Sequence, residues 1–269
     1  MDKAVYSALG GTFINLGQNC IASERVIVLE SVYDEFIEKV TAMTRALRQG
    51  KPERGGNIDV GAIVSPLQIQ VIEPLVQDAI DKGATVLAGG KVLDGEGNYY
   101  PPTILTDLTD DMRIIREEVF GPIMLIFKVK DEQEAIELAN STEFGLQSSI
   151  ITRSSARGER IASRLHTGGS CINDFGMCYL NQDLPFGGVK YSGFGRMNGR
   201  DGLRDYTNQK AVMLDRFPIE IPPKIFPVKP QDYEVAKSSA YLLFAPGIGR
   251  KCRHLFRLAS LSLKNKPKQ

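Results

Sequence analysis

The chain has 269 residues, 42% hydrophobic and 24% charged, enough for one large folded body or two modest ones. That balance excludes collagen, coiled coil and low-complexity disorder, and no run of 18 apolar residues offers a transmembrane helix. The net charge of +1 conceals an asymmetry: residues 224–269 carry ten basic and two acidic side chains, a net +8, and the rest carries 23 and 30, a net −7. The acidic body argues against a nucleic-acid-binding face, while the basic tail leaves room for an anionic partner. MDKAVYSALGG lacks the basic and apolar regions of a secretory signal.

Strand and helix patterns alternate from the N-terminus. Arg25–Leu29 (RVIVL) is a continuous apolar run, expected as a strand buried on both faces. Residues 33–47 follow with a helical stripe of Phe36, Ile37, Val40, Met43 and Leu47, and residues 67–79 repeat that period. Residues 85–87 read as a short strand and 94–98 (DGEGN) as a turn. Ile123–Val129 is a strand, 131–139 a helix with Asp131 as its N-cap, 148–152 a strand, 156–166 a helix and 170–172 a strand. The alternation predicts an α/β fold, an open parallel sheet with helices on both faces.

A glycine-rich stretch at 185–196 and a strand candidate at 211–216 close the body. Prolines at 218, 222, 223, 227 and 230 make 218–236 a linker. Residues 237–269 form a basic tail. On a helix, Cys252, Leu255, Phe256, Ala259 and Leu263 make one apolar stripe, the pattern of a helix lying on an anionic membrane surface.

Four cysteines at 20, 171, 178 and 252 are irregularly spaced, with no Cys-x-x-Cys. They form neither a disulfide framework nor a zinc ribbon, and two histidines, His166 and His254, are too few for a His-based metal site to be expected. A reducing, cytoplasmic compartment fits, with the tail peripheral on a membrane. Neither G-x-G-x-x-G nor G-x-x-x-x-G-K-[ST] occurs. Cys20 follows Asn15-Leu16-Gly17-Gln18-Asn19 on a Gly-containing loop, where a sulfur can stand at a sheet edge; by residue type alone it is a small buried hydrophobe. Glu117-Glu118-Val119-Phe120-Gly121-Pro122 sets paired carboxylates beside an aromatic and a turn; taken alone, such a pair is a solvated surface feature.

In this order, residues 13–20 (FINLGQNC), 33–36 (YDEF), 99–105 (YYPPTIL), 117–122 (EEVFGP), 144–152 (FGLQSSIIT), 169–174 (GSCIND) and 185–196 (PFGGVKYSGFGR) resemble the aldehyde dehydrogenase superfamily over about 4–217. The resemblance implies an aldehyde dehydrogenase catalytic domain at 4–217, with a subunit-bridging strand near 211–216. It implies Cys20 as the nucleophile, whose backbone N–H supplies half of an oxyanion hole. It implies Glu118 and Phe120 as contacts of the nicotinamide end of NAD or NADP, and Phe175 in the substrate pocket. Asn173, Lys190 and Gly187-Gly188 are read as holding loop shape. The step from Asn173 to Pro185 is more like the fatty-aldehyde branch, so the implied substrate is an aldehyde, long-chain included, and the implied assembly a homo-oligomer.

Only 19 residues precede Cys20. The family's cofactor domain, with its phosphate-binding segment and general-base glutamate, precedes that position, so the chain is expected to be the catalytic half alone and inactive by itself. A second reading is a non-catalytic, membrane-associated interaction fragment that keeps the fold. A third is a cofactor-free cysteine enzyme such as a thioesterase, which lacks a base because His166 falls in the 156–166 helix.

Overall fold

The computed structural model describes residues 1–51, 56–93, 95, 97–214 and 226–263. Residues 1–209 form one compact unit and residues 210–269 a second. In the first unit, helix α1 (Asp2–Phe13) leads through a 3-10 turn at Ile14–Gly17 into strand β1 (Arg25–Leu29) and helix α2 (Glu30–Arg45). Helix α3 (Pro66–Asp81) starts where Ser65 accepts the Leu67 amide at 3.2 Å and Pro66 occupies the first helical position. Strands β2 (Thr85–Ala88), β3 (Thr103–Thr106) and β4 (Ile123–Val129) follow. Helix α4 (Glu132–Asn140) is capped by Asp131, whose Oδ1 accepts the Glu134 amide at 2.9 Å, as its sequence predicts.

The main sheet has four strands in the order β1-β4-β3-β2. β4 lies parallel to both β1 and β3, whereas β2 runs antiparallel to β3. The expected all-parallel sheet is therefore corrected to a mixed one. Gly89-Gly90 turn the chain back and, among the described residues, no helix separates β2 from β3, so the two strands pair antiparallel. Strand β3 itself, inside YYPPTIL, is an element that periodicity did not reveal.

Helices do cover both faces. Along β4, Ile123, Leu125 and Phe127 enter one core with Ile72, Leu75 and Val76 of α3. Met124 and Ile126 enter the other with Val5 and Leu9 of α1 and Phe36 and Val40 of α2. This period-2 alternation is why the strand reads as continuously apolar. β1 is different: only Val28 is buried, because the strand forms the sheet edge and a cavity runs along it. The expectation of burial on both faces does not hold there.

Beyond the main sheet, β5 (Phe144–Gly145), β6 (Gln147–Ile150), helix α5 (Ser155–Ala162), β7 (Gly169–Ile172), helix α6 (Met177–Leu180), β8 (Val189–Lys190) and helix α7 (Gly199–Asp205) follow. β5 pairs antiparallel with β8 and β6 parallel with β7. α5 ends at Ala162, four residues before the expected end, so His166 lies on the connection to β7. The Asn140 side chain explains the stop. It donates to the Arg164 carbonyl at 2.9 Å and accepts the His166 amide at 2.8 Å, taking backbone groups that a longer helix would use.

Residues 211–214 form no strand, and Val212, Met213 and Leu214 are exposed. A strand that bridges subunits has nothing to pair with in a single chain. The remainder of 211–216, the first part of the proline stretch and part of the 94–98 turn lie outside the described residues.

The second unit contains helix α8 (Asp232–Phe244), which overlaps the expected linker, and helix α9 (Ile248–Leu263), broken apart at 245–247. Arg257 pairs with Glu234 at 2.6 Å, and the His254 ring stacks on Tyr241 at 4.5 Å. Half-buried Lys251, His254, Leu258 and Leu261 fall on one face of α9, while Cys252, Leu255, Phe256 and Ala259 stay exposed. Among the described residues no helix is long and apolar enough to cross a membrane.

Candidate active site

The Cys20 loop is an unusual piece of backbone. Asn15, Leu16 and Gly17 are consecutively left-handed, at φ 50°, 55° and 67°. Two reciprocal hydrogen bonds hold the bend: Asn15 Nδ2 donates to the Gln18 carbonyl at 3.1 Å, and Gln18 Nε2 to the Asn15 carbonyl at 3.0 Å. Gln18 Oε1 also accepts the Val64 amide at 2.8 Å, anchoring the loop to a distant segment. Left-handed non-glycine residues of this kind cost free energy and persist only where the surroundings over-determine them.

The loop rests on the 117–122 segment. A Cβ on Gly17 would overlap the Gly121 carbonyl oxygen, so only glycine permits this approach. Glu24, just past Cys20, reaches the same segment. Its Oε1 accepts the Phe120 amide at 2.9 Å and its Oε2 the Val119 amide at 3.3 Å. Burial holds the Glu24 carboxyl above the usual glutamate range, against the pull of those two amides. Sequence reasoning missed Glu24, because a lone acid flanking a strand carries no local signal of partners this remote.

A third motif converges here. The Phe175 ring stands against Gly11, where an added Cβ would approach it to 3.0 Å, and a Cβ on Gly176 would reach Ile21 at 3.9 Å.

These contacts leave Cys20 exposed on the wall of a cavity of about 450 Å³, together with Asn19, Glu24, Arg25, Glu118, Gln147 and Thr167. The Cys20 backbone N–H makes no hydrogen bond among the described residues. Asn19 Oδ1 accepts the Ile21 amide at 3.2 Å and lies 3.9 Å from Cys20 Sγ. An open sulfur next to an unspent N–H donor can attack a carbonyl carbon and hold the resulting oxyanion.

The adjacent carboxylates separate in role. Glu117 is engaged by Arg113 at 2.8 and 3.0 Å, which holds it below the usual glutamate range. Glu118 makes no hydrogen bond or ion pair among the described residues and faces the cavity. A free carboxylate acceptor fits a vicinal diol such as a nicotinamide ribose. Positive charge comes from Arg25, whose guanidinium stands 5.2 Å over the Phe127 ring with Nε and Nη1 unpartnered.

Of the four residues singled out in the sequence, Cys20 and Glu118 share the cavity wall. Phe120 and Phe175 are not part of that wall: the Phe120 amide is held by Glu24 and the Phe175 ring stands against Gly11. His166 stands between two wall residues, Leu165 and Thr167, without lining the cavity itself. Asn173 Oδ1 accepts the Thr152 amide at 2.8 Å, and Lys190 Nζ donates to the Asn140 and Thr142 carbonyls at 2.9 and 2.7 Å, so both hold loops.

Residues 1–212 match the aldehyde dehydrogenase family. An aldehyde dehydrogenase-like protein of Schizosaccharomyces pombe is 39% identical over 255 residues, 92% of this chain and 47% of its own length. The NADP(+) succinate-semialdehyde dehydrogenase of Deinococcus radiodurans is 39% identical over 236 residues, 88% of this chain and 46% of its own. An NAD+ complex of a Bacillus cereus aldehyde dehydrogenase superposes with a TM-score of 0.75 at 33% identity, over 80% of this chain and 43% of that one. The chain spans just under half the length of the curated relatives it matches. Convergence of three distant motifs on the Cys20 loop and a family match over most of the sequence lead to one assignment: this chain belongs to the aldehyde dehydrogenase family.

Proposed function

We propose that the chain is the catalytic part of an NAD(P)-dependent aldehyde dehydrogenase, with Cys20 as nucleophile. The observation that carries this reading is the exposed Cys20 sulfur, beside its own unspent N–H, on the same cavity wall as the free Glu118 carboxylate. Cys20 Sγ adds to the aldehyde carbon and the Cys20 N–H steadies the oxyanion of the thiohemiacetal. Glu118 accepts from the ribose hydroxyls and so positions the nicotinamide end. The chemistry supplied by a bound nicotinamide dinucleotide is hydride acceptance. The Cys20 thioester left behind is opened by water to the carboxylic acid.

The chain spans just under half the length of the relatives it matches, and we place it as the catalytic part of a longer working enzyme. The Phe120 backbone, held by Glu24, and the Phe175 ring, against Gly11, support the segments that flank the Cys20 loop. The complete protein is a homo-oligomer, in keeping with the exposed Tyr191, Phe194 and Tyr206, which a single chain leaves uncovered.

The test is acylation by an activated ester, p-nitrophenyl acetate, followed by intact-mass and peptide analysis. The nucleophile reading requires an acetyl group on Cys20 that is absent in Cys20→Ser. Acetylation at Cys252 instead, or none, contradicts it.

A second reading concerns the helical hairpin. Leu255 and Phe256 are 53% and 75% exposed on α9, beside Arg250 and Arg253, because α8 covers the other face. That uncovered stripe supports contact with an anionic membrane surface, where apolar, long-chain aldehydes reside.

A further inference from the structure

We propose that Cys171 and Cys178 close into a reversible disulfide, a redox site separate from Cys20 that fastens α6 to the end of β7. Both are free thiols in the structure, and their sulfurs stand 3.0 Å apart. A disulfide bond is about 2.05 Å long, so closure requires a movement of about 1 Å. The pair is oriented by more than proximity. The Cys178 amide donates to Cys171 Sγ at 3.3 Å, Gln147 Nε2 donates to the same sulfur at 3.4 Å, and the Cys178 thiol donates to the Ser170 carbonyl at 3.3 Å.

The intervening turn is built for the approach. Gly176 caps α6 in the left-handed region at φ 84°, and the Asn173 amide donates to the Ile150 carbonyl at 2.8 Å. α6 is a four-residue turn with no side-chain cap. In the reduced state it is held to β7 by these weak sulfur contacts, and its Tyr179 packs edge-to-face on Phe186, outside β7, at 5.1 Å. A covalent bond would fix α6 and, through it, the Phe175 turn that supports the Cys20 loop.

Access and chemistry assign the order of events. Cys171 is 4% exposed and Cys178 half-buried, so a hydroperoxide ROOH meets Cys178 first. The Cys178 sulfur gives up two electrons, the O–O bond breaks, and Cys178 sulfenic acid and ROH result. Cys171 sulfur then attacks the sulfenic sulfur: the S–S bond forms, the S–O bond breaks and water leaves. Two thiols and ROOH thus yield one disulfide, ROH and water. Thiol reductants reverse the bond by exchange. Burial pushes the Cys178 thiol up to about 12, which makes the site slow near neutrality and faster in alkali.

The test uses the full chain. Hydrogen peroxide is titrated at mildly alkaline pH, free thiols are alkylated, and the protein is digested with trypsin without reduction. One peptide, residues 165–190, contains both cysteines and no other. The expected result is loss of both alkyl groups from that peptide, a mass lower by two hydrogens, and recovery of both alkyl groups after dithiothreitol. In Cys178→Ser the peptide should keep its single alkyl group at the same dose. The proposal is overturned if the wild-type peptide stays doubly alkylated at doses that consume Cys20. It is equally overturned if the lost alkylation returns only on reduction of a bond to Cys20, Cys252 or a second chain.

Discussion

Glu24 Oε1 accepts the Phe120 amide at 2.9 Å, across 96 residues of sequence. Phe120 stands at φ 48°, a conformation that an aromatic residue does not adopt without support. The carboxylate supplies that support from the residue between the Cys20 loop and β1, so the loop and the EEVFGP turn form one unit.

Replacing Glu24 with Ala strands the Val119 and Phe120 amides and is expected to cost about 1–3 kcal/mol in chemical denaturation. The pH dependence has a definite sign. Burial raises the folded-state carboxyl above its unfolded value, so the folded form binds the proton more tightly. This contribution is present at low pH and is lost as pH rises through the raised value. Glu24→Gln should flatten that part of the stability profile. An unchanged profile would show that Glu24 is not the group responsible.

Gly17→Ala meets two obstacles, the positive φ and the Gly121 carbonyl. The strain alone is worth about 1–3 kcal/mol. The variant should melt earlier and lose the distinct reactivity of Cys20. Wild-type stability would mean that the loop does not bear on the 121–122 turn.

Most of the scaffold was legible in the sequence because burial imposes period. β4 and α3 announce themselves through Ile123–Val129 and the stripe at Ile72, Val76 and Ala79. The mixed pairing was not legible, since the direction of β2 depends on a connection whose glycines only permit the reversal. The end of α5 is not legible because Asn140, on another helix, takes the backbone groups that decide it. Within the site, Cys20 and Glu118 were readable from their motifs. Glu24 was not, because its partners are brought near only by the fold.

On the proposed reading Glu118, on the cavity wall, accepts from the cofactor ribose, and a contact of that kind supplies only a few kcal/mol. The chain alone should therefore bind NAD with a dissociation constant weaker than about 100 μM, equivalent to about −5.5 kcal/mol. Calorimetry at millimolar NAD checks this. Tighter binding would place a phosphate-binding site within these residues.

The uncovered α9 stripe makes a separable prediction. The chain should co-sediment with anionic vesicles at low salt, less so at high salt, and a variant ending at residue 236 should not. Equal sedimentation with and without the tail removes the membrane reading and leaves the catalytic one intact.

The account rests most directly on Cys20, and native alkylation kinetics with iodoacetamide test it. Cys20 and Cys252 are both exposed, Cys178 is half-buried and Cys171 buried. A nucleophile held beside an unspent N–H should label faster than Cys252, and both should outpace Cys171 and Cys178. If Cys20 labels no faster than Cys252, exposure alone explains its reactivity; if it labels as slowly as Cys171, it is a structural thiol and the assignment is wrong.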